Sequence, residues 1–139
     1  MNAIKNMAPT KKRGRPSKKP LRSYDKITKG CKVPSKKVYI CSPIGCGVGS
    51  QIKARLYCRF AYDKGFDPIC GYIYYPQFLD ERNKDEKTAI VRFGLERMYE
   101  AKAVWVFGKR ISPRMRAEIE LAEDLKIPVK YFDEEMEER

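Results

Sequence analysis

Residues 103–108, AVWVFG, are apolar without a break, and after Lys109 and Arg110 comes ISPRMRAEIELA, whose apolar side chains recur at helical spacing. A short unbroken apolar run is a strand buried on both faces, and helices packed on both sides of a parallel sheet bury it so. The same couple recurs along the chain. KVYICS (37–42) is a strand, followed by the loop PIGCGVGS and by a helix that Ser50 can cap, running to about Lys64. FDPICGYIYY (66–75) reads as a second strand, with Gly71 as an early end point; Asp85 then caps a helix through about Ala101. After the Ser112 helix, IPVKYF (127–132) is the last strand. Such alternation predicts a three-layer α/β domain: a parallel, four- to five-stranded Rossmann- or flavodoxin-like sheet with helices on both faces. Right-handed crossovers give a 2-1-3-4 order, with its switch point between the first and third strands. Ligands bind there, beyond the carboxyl ends, so Ser42–Ser50 and Gly108–Arg114 are the candidate ligand loops, each leading into a helix N-terminus suited to an anion.

Helical spacing gives each helix an inner face: Ile52, Ala54, Leu56, Tyr57, Phe60 and Ala61 in the first, and Ala89, Ile90, Phe93 and Met98 in the second. In the last, Met115, Ala117, Ile119, Leu121, Ala122 and Leu125 fill one arc, opposite Arg116, Glu120, Glu123 and Asp124. Ser112 is its N-cap and Pro113 suits its first turn. Glu118 falls inside the apolar arc, where a carboxylate is costly to bury without a partner. That partner is either an ion pair with Arg55, Arg92 or Lys102, or a ligand. Tyr39 reads as a core aromatic whose hydroxyl reaches the sheet edge, and YIYYPQF (72–78) as a pocket wall or as packing over the sheet end. GCGVGS matches neither a dinucleotide fingerprint nor a P-loop.

The chain has 139 residues, a single-domain length, and a formal net charge of +12. Residues 1–37 hold 13 of the 30 Lys/Arg against one acid, Asp25, while the remaining 17 bases and 17 acids cancel. The division expected is a disordered basic arm (1–36), the α/β domain (37–133) and a solvated acidic tail (134–139). Within the arm, TKKRGRPSKKPLR centres on Arg13, Gly14, Arg15 and Pro16 and resembles an AT-hook. An extended Arg-Gly-Arg suits the narrow, electronegative minor groove of A·T-rich DNA, with the lysines across residues 11–22 on phosphates. The absence of histidine excludes Ser-His and Cys-His triads. Five cysteines (31, 41, 46, 58, 70), with no secretory signal, no C-x-x-C pair and no membrane-length apolar run, predict reduced thiols in the cytoplasm, no metal, no cofactor and no membrane association.

Tyr39, CSPIG, YPQFLDE, VWVFG and ISPRMRAEIELA together resemble the nucleoside 2-deoxyribosyltransferase-like superfamily, in a branch of small bacterial and phage proteins, over residues 37–133. The resemblance implies a nucleoside or nucleotide ligand and a glutamate nucleophile, Glu118, that attacks the anomeric carbon, oriented by Tyr39. Ser112 stands where the transferases carry an aspartate and is similar to the serine that contacts the 5′-phosphate in related deoxynucleoside monophosphate hydrolases. Ser42 and the backbone of Gly45 match the phosphate loop. Arg114 replaces a glycine and would crowd the phosphate or bind it. Lys102 occupies the position of the acid that protonates the leaving base, so Asp80 or Asp85 would have to substitute. The resemblance further implies a homodimer or higher homo-oligomer. The expected function is cleavage or transfer at the N-glycosidic bond of a nucleoside 5′-monophosphate. Two alternatives remain: a non-catalytic nucleotide-sensing or DNA-associated module, and a DNA-binding accessory protein whose domain supplies dimerisation.

Overall fold

A computed structural model describes residues 27–29, 31, 33–43 and 48–139. The AT-hook-like stretch with Arg13, Gly14, Arg15 and Pro16 lies outside the described residues, as does Gly45. The chain divides into two units, Met1–Val33 and Pro34–Arg139. In the first, residues 27 and 28 form a helical turn, and the Cys31 N–H donates to the Thr28 carbonyl at 2.9 Å.

The second unit runs β1 (Lys37–Cys41), α1 (Val48–Asp63), β2 (Asp67–Ile69), α2 (Gly71–Tyr74), a 3-10 turn (Tyr75–Gln77), α3 (Lys84–Arg97), a second 3-10 turn (Met98–Glu100), β3 (Ala103–Phe107), α4 (Pro113–Asp124) and β4 (Val129–Phe132). The four strands pair in parallel and their order is β2-β1-β3-β4, the order the alternation predicted; one isolated antiparallel bridge joins Phe132 to Glu138. Tyr39 lies opposite Ile69 on one side and Val104 on the other. Because successive strand residues face opposite sides, Tyr39, Cys41, Val104 and Val106 pack with Met98, Met115, Ile119 and Ala122, beneath α3 and α4. Val38, Ile40, Trp105 and Phe107 pack on the other face with Tyr57 and Ala61 of α1. Tyr57 stacks on Phe107 at a centroid distance of 4.2 Å, and Phe107 on Phe132 at 5.0 Å. Among the described residues no helix is long and apolar enough to cross a membrane.

Several local expectations change. Residues 71–77 do not extend the second strand: β2 stops at Ile69 and the chain turns helical, because β2 pairs with β1 only as far as Tyr39. Helix α1 begins at Val48, so Ser50 lies within its first turn instead of capping it. Asn83, not Asp85, caps α3; its side chain accepts the Glu86 N–H at 3.0 Å, while the Glu86 carboxylate accepts the Asp80 N–H at 2.6 Å and ties the preceding loop to the helix start. Ile52, Leu56 and Phe93 are exposed and Ala117 faces out, so the true inner arcs are narrower than the apolar spacing suggested. The acidic segment after Phe132 folds back: Asp133 N–H donates to Glu137 O and Arg139 N–H to Tyr131 O, both at 2.9 Å. Lys130 and Lys53 stand 3.7 and 3.8 Å from Glu138 and Glu134.

The turn that delivers α4 depends on Gly108. Its φ is +97°, and a Cβ there would stand 3.0 Å from Pro43 Cγ. Gly108→Ala is therefore expected to lower unfolding free energy by about 1–3 kcal/mol, measured by urea denaturation, whereas an unchanged midpoint would mean the turn relaxes freely.

Candidate active site

Ser112 caps α4 by accepting the Met115 N–H at 3.2 Å, and Pro113 occupies the first helical position. This start sets the phase of the helix, placing residues 114 and 118 one turn apart on the same side. Arg114 Nη1 donates to Glu118 Oε2 at 2.9 Å, and its Nη2 donates to the Ser42 carbonyl at 2.7 Å. From β1, the Tyr39 hydroxyl donates to the same Glu118 oxygen, also at 2.9 Å. The Glu118 side chain is 1 % exposed, that of Arg114 20 %. The pairing partner of Glu118 is thus Arg114, and not Arg55, Arg92 or Lys102. The guanidinium lies over the Tyr72 ring, 4.3 Å from its centroid, so one arginine joins the end of β1, α2 and α4.

Two donors on Oε2 leave Oε1 of Glu118 buried and unpartnered, and the buried hydroxyls of Ser42 and Tyr72 are unpartnered as well. Glu118, Tyr72, Arg114 and Ser112 line one cleft of about 430 Å³. Its opposite wall is apolar, formed by Ile90, Val91 and Leu95 of α3, and Glu81 and Lys87 complete it. A larger hollow of about 590 Å³ lies on the α1 side, walled by Phe60, Phe66, Trp105 and Phe132. Two of the three residues with unpartnered buried polar atoms, Tyr72 and Glu118, line the smaller cleft, which is therefore the candidate chemical site.

The protonation chemistry matches this geometry. Burial first, then the Glu118 carboxylate and its hydrogen bond, push the Tyr39 hydroxyl well above the ordinary tyrosine range, so it stays a donor. Burial and Glu118 push the Cys41 thiol up too, and burial outweighs Arg114 in raising Tyr72. At Arg114, burial opposes the charge, while Glu118, Tyr72 and the hydrogen bond to Glu118 together raise its pKa.

The structure brings together Tyr39, Ser42, Ser112, Arg114 and Glu118, all singled out from sequence. It does not bring in Lys102, whose N–H donates to Lys37 O at the amino end of the strands, the end opposite Ser42. Asp80 is engaged by Arg82, at 2.9 Å from its N–H and 3.1 Å from its Nε. The carboxylate that lines the cleft beside Glu118 is Glu81, and the polar wall residue is Tyr72. Sequence reading missed Glu81, although it stands one residue after the Asp80 that was considered.

The site lies at the carboxyl ends of β1 and β3, the switch point of a flavodoxin-like doubly wound sheet, which defines a three-layer α/β protein with a buried carboxylate in its crevice. A solved structure shares this architecture: a 2-deoxyribosyltransferase from the psychrotolerant bacterium Bacillus psychrosaccharolyticus, 19 % identical, with a TM-score of 0.55 over 70 % of this chain and 72 % of that one. The shared fold is the one expected for the superfamily. By its sequence the chain belongs to the family described as "Domain of unknown function (DUF7768)", matched over residues 36–132. Among curated proteins, none matches the sequence.

Removing one partner of a buried ion pair leaves the other uncompensated, whereas removing both is far milder. Arg114→Met should therefore lower stability by about 3–5 kcal/mol, and the double variant Arg114→Met/Glu118→Leu should recover most of it; a pair that adds nothing would show the single and double variants equal. Tyr39, Tyr72 and Cys41 hold their protons more tightly folded than unfolded, from reference values of 10.0, 10.0 and 9.0. Their contribution is complete below the unfolded values and is lost as pH rises. Urea midpoints taken between about pH 8 and about pH 11 should fall, and fall less in Tyr39→Phe.

Proposed function

We propose that residues 34–139 bind a nucleoside or nucleoside 5′-monophosphate and cleave or transfer at its N-glycosidic bond, with Glu118 as the attacking carboxylate. The observation that carries this reading is the state of Glu118: buried, held through Oε2 by two donors, with Oε1 bare and the side chain lining a cleft. A core carboxylate serving only structure would have both oxygens satisfied. In this reading Oε1 bonds to the anomeric carbon while the C–N bond breaks, and the bond's electron pair leaves with the base. Water or an acceptor hydroxyl then attacks the same carbon and releases the carboxylate, the logic of a retaining glycosidase. Tyr39 orients the nucleophile. Ile90, Val91 and Leu95 offer the base an apolar wall, and Glu81 supplies the proton that the departing base requires. Ser112, at the N-terminus of α4, together with Ser42 and Gly45, forms the pole for a 5′-phosphate. Arg114, committed to Glu118 and the Ser42 carbonyl, serves as counter-charge. The structural similarity to a 2-deoxyribosyltransferase supports a nucleoside-processing fold.

The same Arg114 contact favours a second reading. A glutamate already neutralised by an ion pair also suits a nucleotide-sensing module that binds without turnover. In either case we propose that residues 11–22 of the arm contact DNA, and that the domain works as a homodimer or higher homo-oligomer. DNA affinity that is insensitive to salt would count against the first of these, since phosphate contacts are salt-dependent.

The test is incubation of the full chain with nucleosides and their 5′-monophosphates, following free base by chromatography. Base release by the wild type is expected, reduced by about 10³-fold or more in Glu118→Gln and by about 10²-fold in Glu81→Gln. Binding of a monophosphate with no base released would establish the sensing module instead.

A further inference from the structure

We propose that Cys58 and Cys70 form a peroxide-oxidisable dithiol, closing to a reversible disulfide that ties α1 to the start of α2. The inference stands apart from the glycosyl reading of the cleft. Cys58 lies in α1; Cys70 directly follows β2 and is the residue from which α2 starts. Both are free, half-buried thiols packed against the core cluster on the α1 face of the sheet. Hydrogen bonds fasten the two segments on either side of the pair. The Phe66 N–H donates to the Ala61 carbonyl at 3.0 Å, and Gln51 Nε2 to the Tyr72 carbonyl at 2.7 Å. Along α1, Cys58 lies between Gln51 and Ala61, just as Cys70 lies between Phe66 and Tyr72 in the facing segment. The thiols meet across this contact, with the Cys70 S–H donating to the Cys58 sulfur.

The use of such a pair follows from its surroundings. Structural metal sites take four ligands, whereas among the described residues no group of three or more ligating side chains is present. The hydrogen bond instead gives the two sulfurs different roles. It pulls the Cys58 thiol below the ordinary cysteine range against the effect of burial, while that bond and burial push the Cys70 thiol well above it. Cys58 is thus the nucleophile and Cys70 its proton donor. Cys70 also lines an open hollow of about 300 Å³ at the β2 edge, with Lys37 and Arg97, which gives a small oxidant a path from solvent. With hydrogen peroxide, the Cys58 thiolate attacks one oxygen and the O–O bond breaks. Cys58 becomes a sulfenic acid, and the departing hydroxide takes the Cys70 proton and leaves as water. The Cys70 thiolate then attacks the sulfenic sulfur; the S–S bond forms, the S–O bond breaks, and the second hydroxide leaves as water with the proton that Cys58 first gave up. Two thiols and one peroxide yield one disulfide and two waters, and a dithiol reductant reverses the bond.

The test takes the full chain, reduced and freed of reductant, through a small excess of hydrogen peroxide, then alkylation of the remaining thiols and digestion for mass spectrometry. The expected product is a pair of peptides crosslinked between Cys58 and Cys70, lighter by two hydrogens and released by dithiothreitol. The buried Cys41 should still be alkylated as a free thiol once the chain is unfolded. In Cys70→Ser, Cys58 should accumulate as a sulfenic acid that dimedone traps, because no thiol is left beside it to resolve it. In Cys58→Ser, Cys70 should react about 10-fold more slowly than the wild-type pair, since a buried thiol that keeps its proton is a poor nucleophile. Thiols that stay free, or that oxidise separately without a crosslink, would overturn the proposal. So would a disulfide from either one to Cys31 or Cys46, or a Cys58→Ser variant whose Cys70 reacts as fast as the wild-type pair.

Discussion

One buried carboxylate organises the ligand end of this domain. Taking Glu118 out of water costs several kcal/mol, and the fold meets that cost with a tyrosine donor from β1 and an arginine one turn earlier on its own helix. Both donors are specific to the packing. Tyr39 reaches Glu118 because strand alternation turns it toward α4. Arg114 reaches it because Ser112 and Pro113 start α4 where they do. A start one residue later would rotate the helix phase by about 100° relative to its cap, and the turn at Gly108 would no longer lead into a residue that can accept from Met115.

The arrangement of the cleft follows from the same contacts. Arg114 uses both arms of its fork inside the protein, on Glu118 and on the Ser42 carbonyl, so its charge neutralises the buried carboxylate and does not face outward. The cleft lining is correspondingly mixed. Glu118 and Tyr72 line it, each with a buried oxygen that has no partner. The N-terminus of α4 and Lys87 also line it, and both suit an anion. The α3 side is apolar. A nucleotide combines such parts: a sugar between an anionic phosphate and a flat, largely apolar base.

Much of this was legible in the chain. Continuous apolar strands, helix spacing and right-handed crossovers carry the sheet order, because those patterns are local or set by chirality. Glu118 was conspicuous because a charge inside an apolar arc is rare, and Ser112 because Ser-Pro before a helix has one economical reading. What escaped depends on direction and on pairing between distant elements. Arg114 and Glu118 are four apart, so an ion pair is available from the sequence, but the position of Arg114 equally fits the phosphate site that the resemblance implies. The aromatic run at 72–78 has strand-like composition, yet β1 offers β2 only three partners, and the tertiary limit overrides the local preference. Ile52, Leu56 and Phe93 obey the helical spacing and still face solvent, because a helix lying on a sheet buries a narrower stripe than its apolar residues span.

The orphan atoms beside Glu118 bear on how such a site persists. Each buried polar group without a partner costs about 1–3 kcal/mol, and a domain of this size holds only about 5–15 kcal/mol of net stability. Three of them, on residues that each contact Arg114, form a concentrated local cost. The two hydroxyls could be deleted by single conservative changes, serine to alanine and tyrosine to phenylalanine, without disturbing any packing contact. A structural core would gain from both changes. A binding crevice would lose, since the free energy missing in the empty protein is recovered when a ligand supplies the partners, and the same groups that destabilise the empty state then set which ligand is accepted.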